Sequence, residues 1–169
     1  FSCTAALAGL MAPAMAVADG RPNILFIMSD DHAVRAVSAY GNSLVPTPNI
    51  DRIATVGVRF DRAYVGNAIC GPSRATTLTG LHSHLNGVPT NAETLDPTRV
   101  TFPHLLRAAG YDTAMIGKWH LGDSPGRYPT DQGFDEWFGI PNSSDESFWP
   151  DNDLYRPGVH PQVKFQHVL

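Results

Sequence analysis

The sequence predicts an α/β chain with a mostly parallel sheet flanked by helices. Three observations carry that expectation. Two apolar runs, NILFIM (Asn23 to Met28) and the one inside YDTAMIGKWH (Tyr111 to His120), are each followed by charged or polar residues, as in strands buried on both faces. Segments between them have helix grammar, with proline at the start and glycine past the end. Fifteen Gly and 14 Pro among 169 residues favour a loop-rich α/β chain over a helical bundle. Strands alternating with helices imply parallel pairing, with ligands bound beyond the carboxyl ends of the strands.

The chain begins with Phe1, and residues 3–18 (CTAALAGLMAPAMAVA) are uncharged and rich in small apolar side chains. They are too short to span a bilayer comfortably. Ala16-Val17-Ala18 before Asp19 has the small-x-small form of a signal-peptidase site. Residues 1–18 therefore read as an incomplete secretory signal peptide and 19–169 as the folded part; a buried apolar helix is the alternative. This predicts an exported protein, periplasmic or extracellular if bacterial. Cys3 precedes the apolar run, whereas a lipoprotein cysteine follows it. Cys70 is then the one cysteine of the mature chain, which excludes an internal disulfide.

The remaining elements follow in order. NILFIM reads as a buried parallel strand ending at Asp30-Asp31. TPNIDRIATVG (Thr47 to Gly57) reads as a helix, with Thr47 as N-cap, Pro48 in the first turn and Gly57 as stop. VRFDRAYV (Val58 to Val65) alternates apolar and polar residues, as a strand does. PSRATTLTG (Pro72 to Gly80) and TFPHLLRAAG (Thr101 to Gly110) read as short helices, and YDTAMIGKWH as a second buried strand. From Asp123 onward the composition turns to Gly, Pro, Asp, Asn and aromatics, and irregular loops are expected.

Net charge is −4, which gives no basic footprint for nucleic acid. Asp30 and Asp31 repel each other unless water or a cation intervenes. They read either as a site for a hard divalent cation, calcium or magnesium before zinc, or as an acidic helix-capping turn. Cys70 opens CGPSR at a predicted helix N-terminus. The helix dipole and free N–H groups there lower a thiol pKa and attract anions, and Arg74 adds a forked cation. A structural cysteine beside a capping turn is the alternative. Lys118 and His120 stand two apart in GKWHLG, so an extended backbone turns both to one side. That pair suits charge stabilisation and proton transfer, or is an ordinary polar strand end. His82 and His84 form an H-x-H pair without a third soft ligand at a supporting spacing, which favours a pocket wall or plain structure over zinc. Asn142-Ser143-Ser144 matches the glycosylation pattern.

Taken together, these pieces resemble the type I, formylglycine-dependent sulfatase family. CGPSRATTLTG resembles the first signature, C-x-P-S-R with a spaced Leu-Thr-Gly, and GKWHLG the second. RPNILFIMSDDH resembles the N-terminal metal-binding strand, and TPNIDRIATVGVRFDRAYV the segment after it. The resemblance runs from Arg21 to about Phe138. It implies the N-terminal part of an alkaline-phosphatase-like catalytic domain and a sulfuric ester hydrolase. Asp30, Asp31 and the modified Cys70 are implied as metal ligands, for Ca2+ rather than Mg2+. Cys70, oxidised to formylglycine by a maturation enzyme, is implied as nucleophile: one hydroxyl of the hydrated aldehyde accepts sulfate, and the other expels it by C–O cleavage. Arg74 is implied to hold the hydrated aldehyde, Lys118 the sulfate group, and His120 the same charge or the modified residue's hydroxyl.

The resemblance also implies a second acid–amide metal pair, a further histidine and a further lysine, which are expected downstream of Leu169. Asp151-Asn152-Asp153 comes too early to supply them. The 169-residue polypeptide alone is therefore expected to be inactive and poorly folded. The signatures are closest to N-acetylglucosamine-6-sulfatase-like members, so a sulfated carbohydrate is the expected substrate and a small aryl sulfate the alternative. The rivals are a phosphonate or phosphodiester hydrolase, a catalytically silent glycan-binding relative and a metal-binding structural domain.

Overall fold

The computed structural model describes residues 20–41, 44–143 and, as backbone, 166–168. The proposed signal segment, Ser144 and Asp151-Asn152-Asp153 lie outside the described residues. The chain divides into two compact units, Phe1–Ala33 and Val34–Leu169.

In the first unit, residues 21–29 have no regular secondary structure and join no ladder among the described residues. The expected buried strand over Asn23–Met28 does not form: Leu25 is 84% exposed, and Ile24, Phe26 and Ile27 are exposed too. An apolar run marks a segment suited to a sheet interior, but backbone pairing requires neighbouring strands, and none is paired with it among the described residues.

The second unit begins with two 3-10 turns, Val34–Ala36 and Ser38–Tyr40, followed by helix α1 (Pro48–Val56). Thr47 is its N-cap residue, Pro48 stands in the first turn and Gly57 closes it. The Thr47 hydroxyl donates to Asp51 at 2.9 Å, and the Ser38 hydroxyl donates to the same carboxylate at 2.6 Å, tying the 3-10 turn to the helix. The strand expected over Val58–Val65 is irregular instead, with a turn at Asp61-Arg62. Arg59 pairs with Asp61 at 2.7 Å inside that turn, and Phe60 and Tyr64 are exposed.

Helices α2 (Cys70–Thr79), α3 (Ser83–Asn86) and α4 (Phe102–Ala108) come next. Helix α2 starts two residues before the expected Pro72 and ends as expected at Gly80, which takes the left-handed conformation at φ 68°. Helix α3 has no sequence-level expectation; Gly87, also left-handed, ends it. Strand β1 (Ala114–Lys118) is the core of the expected Tyr111–His120 strand. It pairs in parallel with β2 (Glu136–Ile140), which pairs antiparallel with β3 (Gln166–Val168). Strand β2 falls where irregular loops are expected. Its alternating burial and the complete burial of Trp137 reveal a strand within a Gly- and Asp-rich stretch.

The core of this unit joins helix to sheet: Ala75 and Leu78 of α2, Val88, Leu95, Trp119, Leu121, Phe134 and Trp137. Both indole N–H groups are satisfied, Trp119 by the Arg127 carbonyl at 2.8 Å and Trp137 by the Gly117 carbonyl at 3.3 Å. Burying a large apolar side chain contributes roughly 2–3 kcal/mol, so these two rings anchor α2 and the carboxyl end of β1 to one another.

Candidate active site

In the second unit, α2 and the end of β1 bring together two distant sequence segments. Arg74 Nη1 donates to the Lys118 carbonyl at 2.5 Å, across 44 residues. The first turn of α2 lies against the residue beyond β1: a Cβ on Gly71 would stand 3.3 Å from the His120 carbonyl oxygen. Cys70 is a half-buried thiol, in no disulfide, at the first position of α2. Lys118 is half-buried, and its ammonium donates to the buried hydroxyl of Ser143 at 3.0 Å. His120 is buried, and its backbone N–H donates to the Pro141 carbonyl at 2.8 Å. Cys70, Arg74, Lys118 and His120 thus belong to one joined helix and strand end.

Two details correct the sequence-based picture. First, Lys118 and His120 are not an alternating pair on one extended strand. Strand β1 ends at Lys118, and His120 adopts φ 59°, in the left-handed region. The side-chain period of two holds only while the backbone stays extended. Second, the start of α2 has few free N–H groups for an anion. The Gly71 N–H donates to Asn91 Oδ1 at 2.9 Å, Pro72 has none, and the Ser73 N–H donates to the Ile69 carbonyl at 2.8 Å. Charged side chains, rather than the helix end, are therefore the groups suited to holding an anion here.

Asn91 and Ser143 are absent from the sequence-based site. Each works through a contact 20 or 25 residues away, which spacing does not reveal. The loop around Asn91 is set by carboxylates. Hydrogen bonds from the Thr90 hydroxyl and N–H hold the Glu93 carboxyl below its usual range, and the Thr98 N–H and hydroxyl do the same for Asp96. Asn142 donates its side-chain amide to Asp123 at 3.0 Å. The His82 and His84 rings stack at 6.0 Å.

Asp30 and Asp31 belong to the first unit, directly after its apolar run, and both are exposed. Asp31 has φ 50°. With His120 it makes up the non-glycine residues of positive φ among the described residues. The pair fits a hard cation in donor chemistry: two adjacent carboxylates, with Asp31 held in an uncommon conformation. They supply only part of a calcium shell of about six to eight oxygens. Among the described residues, no group of three or more His, Cys, Asp or Glu side chains is placed to hold a metal ion.

The sulfatase family model matches residues 22–167. This chain belongs to the sulfatase family. The sulfatase chain is 50% identical over 140 residues to an N-acetylglucosamine-6-O-sulfatase of Bacteroides thetaiotaomicron, covering 83% of this chain and 24% of that protein. It is 39% identical over 151 residues to the human N-acetylgalactosamine-6-sulfatase, covering 82% of this chain and 28% of that one. A solved structure of a protein in complex with its substrate, D-glucosamine-2-N,6-O-disulfate, superposes with TM-score 0.70 at 45% identity, covering 88% of this chain and 27% of that one. The phosphonate monoester hydrolase of Agrobacterium radiobacter superposes with TM-score 0.60 at 30% identity, covering 72% and 26%. The sulfatase chain thus spans about a quarter of the length of the relatives it matches. Its α/β architecture, with β1 and β2 in parallel, agrees with the alkaline-phosphatase-like fold of these structures.

Proposed function

We propose that the protein hydrolyses sulfate esters of sulfated glycans, with Cys70 matured to formylglycine as nucleophile. The observation that carries this reading is the join between the two signature segments. The helix that begins at Cys70 is fixed by Arg74 to the Lys118 carbonyl and lies against the His120 backbone. A nucleophile, two fixed cations and a histidine thereby share one end of one strand, an arrangement suited to a tetrahedral anion. The 6-O-sulfated glucosamine named with the relatives supports an amino-sugar 6-sulfate as substrate class.

In this reading the Arg74 guanidinium holds the modified residue and Lys118 neutralises the sulfate oxygens, its ammonium steered by Ser143. His120 exchanges a proton at a ring nitrogen with the reacting hydroxyl or with the departing alcohol. Asp30 and Asp31 would contribute to holding a calcium ion, a group whose chemistry is that of a Lewis acid. Export, a maturation enzyme acting on CGPSR and loss of residues 1–18 complete the proposal. Among the described residues no helix is long and apolar enough to cross a membrane.

The test is mass spectrometry of the tryptic peptide Ala63–Arg74 from protein made in its native host, together with sulfate release from N-acetylglucosamine-6-sulfate. We expect an aldehyde at position 70, reactive toward hydrazide, and sulfate release that Cys70→Ala abolishes. An intact, alkylatable thiol in protein that binds the sugar without cleaving it would instead establish a silent binder. A second reading, phosphonate monoester hydrolysis, rests on the likeness to the Agrobacterium enzyme. It takes precedence if a phenyl phosphonate is turned over faster than the sulfate ester.

A further inference from the structure

Helix α2 has no local side chain to cap its start. Ile69 at the N-cap position has no acceptor, and no side-chain cap bond forms from it. The acceptor comes from outside the helix, where Asn91 Oδ1 takes the Gly71 N–H at 2.9 Å from 20 residues downstream. Asn91 is well placed to do this because its loop is fastened along its length. The Val88 N–H donates to Asn86 Oδ1 at 2.9 Å, and Asn67 Nδ2 donates to the Pro89 carbonyl at 3.1 Å. The Thr90 hydroxyl donates to Glu93 at 2.6 Å, and the Leu95 N–H to the Leu121 carbonyl at 3.0 Å. Asn86, Val88 and Leu95 are buried. The turn lies close to a second neighbour as well. A Cβ on Gly71 would stand 3.1 Å from Asn91 Oδ1 and 3.3 Å from the His120 carbonyl oxygen.

We propose that Asn91 is a positioning residue of the site: its side-chain carbonyl caps α2 from a separate loop and holds the Cys70-Gly71 turn against the His120 backbone. Asn91 touches no reacting atom in this proposal. It acts on the nucleophile through the Gly71 N–H, and it also leaves that donor unavailable to the substrate. The proposal rests on the hydrolase reading of the same site.

The experiment compares Asn91→Ala and Asn91→Asp with wild type in the matured protein. Mass spectrometry of the Cys70 peptide puts every rate on a per-aldehyde basis, and hydrogen exchange at the Gly71 amide reads the cap itself, with the amides of α4 as internal reference. In the alanine variant we expect Gly71 exchange about fivefold faster and kcat about tenfold lower, with KM changed by less than about twofold. The aspartate variant keeps the acceptor, so slow exchange and most of kcat return, while its added charge raises KM for an anionic ester. Unchanged exchange at Gly71, or unchanged kcat per aldehyde, overturns the proposal. Faster exchange throughout α4 as well overturns it too, because the role is then general to the fold. If the wild-type protein releases no sulfate, the hydrolase reading fails, and the exchange measurement still decides whether Asn91 holds the turn.

Discussion

Asp31 and His120 share a backbone conformation that costs most L-residues free energy, and the sequence singles out both as site residues. Such conformations gather where surrounding structure must hold a group for function. Cys70, Arg74, Lys118 and His120 are legible in the sequence as candidates because each lies in a compact signature whose residues are close along the chain. Asn91 and Ser143 are not, because what singles them out is a tertiary contact. Arg74 allows a sharp test. Its fork serves the backbone of Lys118 through Nη1, a geometry that a lysine ammonium does not reproduce. Arg74→Lys should lower kcat/KM by about a hundredfold when each rate is expressed per formylglycine measured by mass spectrometry. Activity within about threefold of wild type would remove Arg74 from the site.

The four helices and strand β1 follow the rules by which sequence encodes local structure, although only three of those helices are foreseen. Proline-started, glycine-ended segments became helices because their ends are encoded locally; α3, at four residues, is too short to show periodicity. Strands are less legible. Val58–Val65 alternates yet has no ladder, whereas Glu136–Ile140, set among Gly and Asp, gains one from β1. A partner strand decides the outcome, and periodicity does not report one. Two predictions belong to elements. Gly133 ends a 3-10 turn at φ 100°, and a Cβ there would stand 2.5 Å from the His104 backbone nitrogen. Gly133→Ala should destabilise by roughly 2–4 kcal/mol in urea unfolding, and a loss under about 1 kcal/mol would contradict the packing. Asp135 accepts from the Thr113 N–H and hydroxyl, each at 2.8 Å, and pairs with Arg107 at 2.9 Å. These partners, the Thr113 N–H foremost, hold its carboxyl below the ordinary 3.8. Its stabilising effect is therefore present above that value and lost as pH falls through the depressed one. Asp135→Asn keeps an acceptor and removes the charge. Its Tm should lie below wild type at neutral pH, with the gap closing below about pH 3.8. A gap that does not vary with pH would assign the effect to packing.

At the scale of the whole molecule, the described residues leave many large apolar side chains in water. Tyr64 is 90% exposed and Ile116 84%, alongside the run from Ile24 to Ile27. Large apolar side chains left in water favour association. The 169-residue polypeptide taken alone should therefore bind a hydrophobic dye such as ANS strongly and scatter light as an associated species above micromolar concentration. A monodisperse monomer without dye binding would contradict the exposed surface. The borrowed cap on α2 also bears on the order of folding events. A local cap acts as soon as a helix nucleates, whereas a cap 20 residues away must wait for a loop to close against chain entropy. The turn carrying Cys70 should thus be among the last parts of its helix to become rigid, its backbone open to solvent until the Asn91 loop docks.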